Sequence, residues 1–244
     1  MALHILEQLK WRYATKKFDE TKKVSSDTIE TLKEAFNLTA TSYGLQPLKL
    51  LVVSNPEVIK DLVPLSFNQG QIGNASHIFV VCIENKVDSA FIKKYFDLIE
   101  KTRNTPREIL SSFEDFLIDD FSKKTTEEIK SWATKQAYLV LGNLLTVCAI
   151  EKVDSCPIEG FSPDKYNEYF ALSEKGLSAV LVMAVGHRAK DDVFSELDEE
   201  RREKLAQLAQ SAEQTIITVA VENDLPKSLT GVRYLVKSAA VSKL

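Results

Sequence analysis

The sequence predicts an α+β fold, a sandwich in which helices flank a central mixed, mostly antiparallel sheet. Segments with helical periodicity and short apolar runs do not alternate one for one, which argues against a doubly wound fold. Neither GxGxxG nor GxxxxGK(S/T) occurs in the chain. With 244 residues, 44% of them apolar, the chain is long enough for one large domain with a substantial core.

The first third of the chain contains two predicted helices, two predicted strands and a connecting helix. Apolar residues at helical spacing indicate a first helix around 3–9 and a second after the capping candidates at 25–27. The runs 48–53 and 77–83 are rich in Val, Leu, Ile and Phe and are bounded by Pro or Asn, which is typical of buried strands. A helix at about 56–65 should join these strands.

The central part of the chain is predicted to be helical. Charged and aromatic residues recur at helical spacing over 87–121, and the Pro at the end of 104–106 should divide this stretch into two helices. Thr125 and Glu128 have the spacing of a capping box, which opens a further helix. The small apolar residues of that helix suit a central, tightly packed position.

The last third begins with a helix and a strand and then changes in composition. Ser162 and Pro163 fit the N-cap and first position of a helix, and 178–185 reads as a third buried strand. A charged helix to about 212 and a strand at 215–221 should follow. We therefore predict a main domain, residues 1–197, and a C-terminal extension, residues 198–244.

Charge and composition exclude several classes of function. The net charge is −4, and the 31 basic side chains are interspersed among 35 acidic ones, so no nucleic-acid footprint is expected. No apolar run approaches the ~18 residues of a membrane span, and no membrane partner is expected. The three histidines are dispersed without an HExxH motif, which gives no support to metal chemistry.

The cysteines indicate a reducing compartment. Cys82, Cys148 and Cys156 are odd in number, form no CxxC pair and lie among apolar residues. Free cysteines of this kind usually pack in the core. We expect reduced thiols in a cytoplasmic protein.

Four separated fragments together resemble the FMN-dependent nitroreductase family, of the oxygen-insensitive NAD(P)H nitroreductase and dihydropteridine reductase type. They supply the cations, amides and glycines that a phosphate-bearing, ring-shaped cofactor needs. They occur in the family's order and are 12–18, 41–47, 68–71 and 157–161. The helix segment 135–143 lies between the last two fragments and strengthens the resemblance.

The first fragment would bind the flavin's phosphate, ribityl chain or ring. The phosphate carries a charge near −2 and needs several cationic or N–H donors at one point. The resemblance gives this role to Arg12 and Lys16, with Tyr13 and Ala14 between them, and Ala14 replaces the common Ser. The alternative is an ordinary solvated basic loop.

Two further fragments would surround the flavin. The resemblance implies that Thr41, Ser42 and Gly44 contact it from the second subunit, although these residues also suit a plain turn. Asn68 and Gln71 match the residues that reach the ribityl hydroxyls and the pyrimidine edge. Gln71 replaces a common Lys, so a shifted redox potential is expected.

The fragment Pro157, Ile158, Glu159 and Gly160 is the most specific one. The resemblance implies that the backbone N–H of Glu159 approaches flavin N5 and that Gly160 permits close passage of the chain. Glu159 is therefore not expected to be a general base. The alternative is a strand-to-helix turn with an exposed Glu159.

Further phosphate ligands and an acceptor lid are expected in less specific regions. Arg201 and Arg202 are the candidates for additional cations, although acidic residues surround them, and Lys227 is a weaker candidate. The lid would lie within 91–124. Three aromatic residues there could stack on an acceptor or pack in the core: Phe113, Phe116 and Phe121.

The resemblance implies an FMN-dependent oxidoreductase. Hydride would pass from NAD(P)H through flavin N5 to nitroaromatics, quinones or similar small aromatic acceptors by a ping-pong mechanism. A domain-swapped homodimer with two sites is expected. The alternatives are a flavin reductase or dehalogenase-like relative and a non-catalytic flavin-binding protein.

Overall fold

The computed structural model describes residues 2–195, 234–237 and 240–243. The chain divides into two compact units, Met1–Asp192 and Val193–Leu244. In the first unit the helices are α1 Ala2–Trp11, α2 Ser26–Leu38, α3 Pro56–Leu65, α4 Gly70–Gly73, α5 Ser89–Arg103, α6 Arg107–Ser122, α7 Thr126–Ile150 and α8 Pro163–Tyr169. Its strands are β1 Leu48–Val53, β2 His77–Glu84, β3 Asp154–Ile158 and β4 Leu177–Gly186.

The four strands form one sheet in the order β1-β2-β4-β3. Every neighbouring pair is antiparallel, with Leu51 opposite Val80 and Cys156 opposite Ala184. A single parallel bridge links Ala14, in the loop after α1, to β3. The predicted α+β class is therefore confirmed.

Alternating side chains on the central strands build two cores, one on each face of the sheet. Phe79 and Val81 point to the face that packs against α2 and α7. Val80 and Cys82 point to the face that packs against α3 and against α8, which includes Tyr166. Full burial of each such side chain contributes roughly 1.5–3 kcal/mol, which is why both central strands are largely apolar. This arrangement is the predicted sandwich.

Helix caps account for most of the correctly predicted boundaries. Ser25 accepts a hydrogen bond from Thr28 N at 3.2 Å and caps α2. The capping box of α7 is complete, with Thr125 N donating to Glu128 Oε2 at 2.8 Å. Ser162 occupies the N-cap of α8, but its side chain makes no capping hydrogen bond there, contrary to our expectation.

Strand β3 was not predicted, because its sequence is short and contains Pro157 and Asp154. It lies at the edge of the sheet. A Pro is tolerated there because the outer side of an edge strand does not need a backbone N–H for a neighbouring strand. The predicted third strand is thus β4, the fourth in the chain. The fragment 157–161 accordingly begins inside a strand.

The predicted break between two helices occurs at Asn104, whose φ is 49°. Asn tolerates this left-handed conformation better than most residues. Of the three candidate lid aromatics, Phe121 is 3% exposed and belongs to a core cluster, whereas Phe113 and Phe116 are exposed. Phe121 is therefore a core residue.

In the second unit, the described residues form the 3-10 turn Val193–Ser195 and an antiparallel hairpin of β5 Tyr234–Lys237 and β6 Ala240–Lys243. The sequence did not predict this hairpin. The predicted helix before 212, the strand at 215–221, Arg201, Arg202 and Lys227 lie outside the described residues. The predicted domain division at 197 stays a prediction.

Among the described helices, α7 is long and apolar enough to cross a membrane by length and composition. Its residues Ala137, Leu141 and Leu144 are nevertheless part of the core beneath the sheet. Central helices of water-exposed domains share this composition because they are buried by their neighbours.

Candidate functional site

The loop after α1 is held by residues that follow β4. Asp192 is only 3% exposed, and its Oδ2 accepts hydrogen bonds from Tyr13 OH at 2.8 Å, Lys16 N at 3.0 Å and Lys17 N at 3.1 Å. Burial and the bond to Asp192 raise the pKa of Tyr13. The phenol therefore remains a protonated donor at neutral pH.

The same loop lies beside β3. Ala14 pairs with Ser155 in a parallel bridge, and Lys16 Nζ lies 3.7 Å from Cys156 Sγ. Burial raises the pKa of the Cys156 thiol, and the nearby Lys16 opposes this shift. The cationic loop thus meets the chain immediately before Pro157.

A guanidinium clamp joins the end of α1 to β3. The Arg188 guanidinium stacks 4.2 Å from the Trp11 ring centroid and 4.6 Å from that of Tyr13. It also pairs with Asp154 at 2.6 Å, where the carboxylate side chain is 4% exposed. Sequence reasoning missed Arg188, Asp154 and the contacts of Asp192, because nothing local in the sequence links them to the loop.

Gln69 joins the fragments 68–71 and 157–161. Its Nε2 donates to the carbonyl oxygen of Gly160 at 2.5 Å and to that of Ser66 at 3.1 Å. Gln71 Nε2 donates in turn to Gln69 Oε1 at 2.8 Å. Asn68 has φ 58°, a conformation in which Asn is enriched. Gln69 was missed although it lies between two predicted residues.

Glu159 is held by a side chain of α7, since the Tyr138 hydroxyl donates a hydrogen bond to its Oε1. The adjacent Gly160 lies close to the Gln69 side chain, since an added Cβ would lie 3.0 Å from Gln69 Nε2. A side chain at residue 160 would therefore require the Gln69 amide to shift by a few tenths of an ångström. The predicted role of Pro157 and Ile158 beside the ring stays a prediction.

The fragment with Thr41, Ser42 and Gly44 contacts α5 and α7. Ser42 N donates to Gln136 Oε1 at 2.8 Å. Gly44 has φ 70°, and a Cβ there would lie 2.6 Å from Tyr95 OH, so only Gly fits. A cavity of about 350 Å³ adjoins this fragment between α2 and β1.

The residues present fit a polar, anionic ligand. Arg12 Nε and Thr41 Oγ1 are buried atoms with no hydrogen-bond partner among the described residues. Unpaired buried donors of this kind are rare and call for an external partner. Two predicted fragments thus each present an unmatched polar atom, as a site for FMN would.

The fold and the polar fragments define an α+β sandwich protein with a candidate site for an anionic cofactor. Its similarity to known proteins identifies the family. The family model described as Nitroreductase family matches residues 9–187. The Bacillus subtilis strain 168 protein named "Putative NAD(P)H nitroreductase YfkO" is 35% identical over 201 residues, which cover 77% of this chain and 90% of that protein. The chain belongs to the nitroreductase family.

Solved structures show the same fold. A nitroreductase-like protein from Streptococcus mutans superposes with a TM-score of 0.70 at 20% identity, covering 78% of this chain and 91% of that one. A structure described as a putative nitroreductase in complex with FMN, from Exiguobacterium sibiricum, gives a TM-score of 0.67 at 22% identity, covering 76% and 89%.

Proposed function

We propose that this protein is an FMN-dependent oxidoreductase that transfers hydride from NAD(P)H, through flavin N5, to nitroaromatics, quinones or similar small aromatic acceptors. The observation that carries the proposal is the convergence of the cationic loop on β3. Lys16 and Ala14 contact Cys156 and Ser155, directly before the Pro157 fragment. Gln69 ties the third fragment to Gly160, three residues after Pro157.

Different residues of one chain bind different parts of the cofactor. Arg12 and Lys16 bind the phosphate, because they bring two cations to one loop. Asn68 and Gln71 face the ribityl chain and the pyrimidine edge. Arg201 and Arg202, outside the described residues, are proposed as further phosphate ligands. Bound FMN would supply the hydride chemistry itself.

The segment beside the ring supplies backbone groups and no proton-transfer side chain. The Glu159 carboxylate accepts the Tyr138 hydrogen bond, which directs it toward α7. Its backbone N–H is the group proposed to face flavin N5. Gln71, as a neutral amide, stabilises a reduced flavin less than a Lys would, so we expect a lower flavin reduction potential than in relatives with Lys.

The complete site requires a homodimer. We propose that Thr41, Ser42 and Gly44 complete the site of a second copy, as the resemblance to the family implies. Exposed apolar side chains on α1 and α7, including Leu6 and Leu139, supply a surface for that contact. Cytoplasmic localisation fits three buried, free cysteines.

The test is an absorbance spectrum of the purified protein, followed anaerobically after NAD(P)H and then a nitroaromatic or menadione. Bound FMN that bleaches and recovers in two separate steps supports the oxidoreductase and the ping-pong order. Bound flavin that never bleaches would instead indicate a non-catalytic flavin-binding protein. Faster turnover of free flavin than of either acceptor would indicate a flavin reductase.

A pair of variants tests the phosphate assignment. Lys16→Ala should weaken FMN binding by roughly 10- to 100-fold, because a charge-assisted hydrogen bond contributes about 1.5–3 kcal/mol. Lys23→Ala removes a cation from an exposed position nearby and should leave FMN affinity unchanged. Equal affinities for the two variants would contradict the assignment.

A further inference from the structure

Two adjacent carboxylates, Asp191 and Asp192, have different surroundings. The Asp191 side chain is 71% exposed and pairs with the exposed ammonium of Lys17. Asp192 is 3% exposed, and its Oδ2 accepts hydrogen bonds from the loop that carries Arg12 and Lys16. A buried carboxylate is costly unless such donors compensate it, so the contacts of Asp192 define the position of the loop.

The donors to Asp192 lie at both ends of the cationic fragment. Tyr13 donates from its hydroxyl, while Lys16 and Lys17 donate from their backbone N–H groups. The two backbone N–H groups thus point toward Asp192. These two N–H groups are therefore not available to an anion at this loop, whereas Lys16 Nζ extends toward Cys156 on β3.

The backbone near Asp192 strengthens this anchor. Ala189 N donates to the Lys17 carbonyl at 2.9 Å, and Asp19 N donates to the His187 carbonyl at 2.8 Å. Main-chain hydrogen bonds therefore hold the loop to the residues between β4 and Asp192. Asp192 adds hydrogen bonds to Tyr13 and Lys16, on either side of the Ala14 that pairs with Ser155.

We propose that Asp192 is a positioning residue for the FMN phosphate: it holds the loop so that the Arg12 and Lys16 side chains converge on the phosphate. This inference rests on the proposed function. The negative charge of Asp192 by itself opposes phosphate binding. Simple loss of that charge should tighten FMN binding, whereas loss of positioning should weaken it, so the two effects have opposite signs.

The experiment compares Asp192→Asn with Asp191→Asn in the full chain. Both variants remove one negative charge from adjacent positions. Only Asp192→Asn replaces the buried carboxylate that accepts three loop hydrogen bonds with a neutral amide oxygen, which accepts them more weakly. Asp191→Asn affects only the exposed pair with Lys17, which contributes about 0–1 kcal/mol. The apoproteins are titrated with FMN and with riboflavin, which lacks the phosphate. We expect Asp192→Asn to lower FMN affinity about tenfold and riboflavin affinity little, so that the ratio of the two affinities falls. Asp191→Asn should keep or slightly raise that ratio.

The outcomes separate this inference from the proposed function. Asp192→Ala leaves the three donors without an acceptor, so an unchanged or increased ratio in both Asp192→Asn and Asp192→Ala overturns the positioning role. An equal loss of both ligands also overturns it, because it indicates general destabilisation. If Asp192→Asn does not fold, Tyr13→Phe removes a single donor and should lower the ratio about threefold; no change there also overturns the role. Wild-type protein that binds riboflavin and FMN equally, or neither, overturns the proposed phosphate site as well.

Discussion

The side-chain amide of Gln69 donates a hydrogen bond to the Gly160 carbonyl oxygen at 2.5 Å, across 91 residues of sequence. This bond connects the turn before α4 to the segment after β3. Gln71 extends the connection, because its amide donates to Gln69 Oε1. The proposed ring-binding segment is therefore held by a chain of neutral amides.

Replacement of Gln69 by Ala should weaken FMN binding about fivefold, because one hydrogen bond contributes about 1 kcal/mol and Gly160 would lose its support. Flavin fluorescence during titration of the apoprotein measures this change. Tyr169→Phe is the control, since it removes one hydrogen bond between α8 and Asp61 at 2.8 Å. FMN affinity equal to wild type in Gln69→Ala would mean that Gly160 is held by other contacts.

Arg188→Met should lower the free energy of unfolding by about 3 kcal/mol, because it leaves the buried Asp154 carboxylate without its cation. Denaturant unfolding measures the loss. Lys17→Met is the control, because the Lys17–Asp191 pair is exposed and such pairs contribute about 0–1 kcal/mol. Similar losses in both variants would show that the Arg188 clamp does not stabilise the fold.

Gly186→Ala should destabilise the protein by about 1–3 kcal/mol, the usual cost of overpacking a core. An added Cβ would lie 2.7 Å from Phe18 Cδ1 and 3.3 Å from the backbone nitrogen of Ser76. Gly70→Ala is the matched control, since the nearest atom to its Cβ would be Asn74 Oδ1 at 3.8 Å. Thermal unfolding of both variants tests the prediction, and equal midpoints would contradict it.

The loop after Phe18 should contribute less to the stability of the protein as the pH falls into the acid range. Hydrogen bonds from Thr21 and the ammonium of Lys22 lower the pKa of Asp19 from 3.8 to about 2. Because the folded pKa is the lower one, this contribution is complete above pH 4 and is lost as pH falls toward 2. Asp19→Asn should therefore remove part of the acid-induced loss of stability, as measured by urea unfolding at pH 7 and at about pH 3. An identical pH dependence in wild type and variant would contradict the prediction.

Most helices and strands could be predicted from the sequence because their signals are local. The Thr125–Glu128 capping box, the Asn104 break and the apolar run of β2 each lie within a few residues. Strand β3 could not be predicted, because its Pro157 and polar residues are tolerated only at a sheet edge. Its identity as a strand depends on pairing with β4.

The candidate site divides in the same way. The sequence by itself determined the α+β class, the order of the polar fragments and the residues with suitable chemistry, because periodicity, caps and residue type are properties of neighbouring positions. Only the tertiary structure decided that Asp192 holds Tyr13, that Arg188 joins Trp11 to Asp154 and that Gln69 supports Gly160. Tyr13 and Asp192 are 179 residues apart, and their bond forms only when the sheet brings the two segments together.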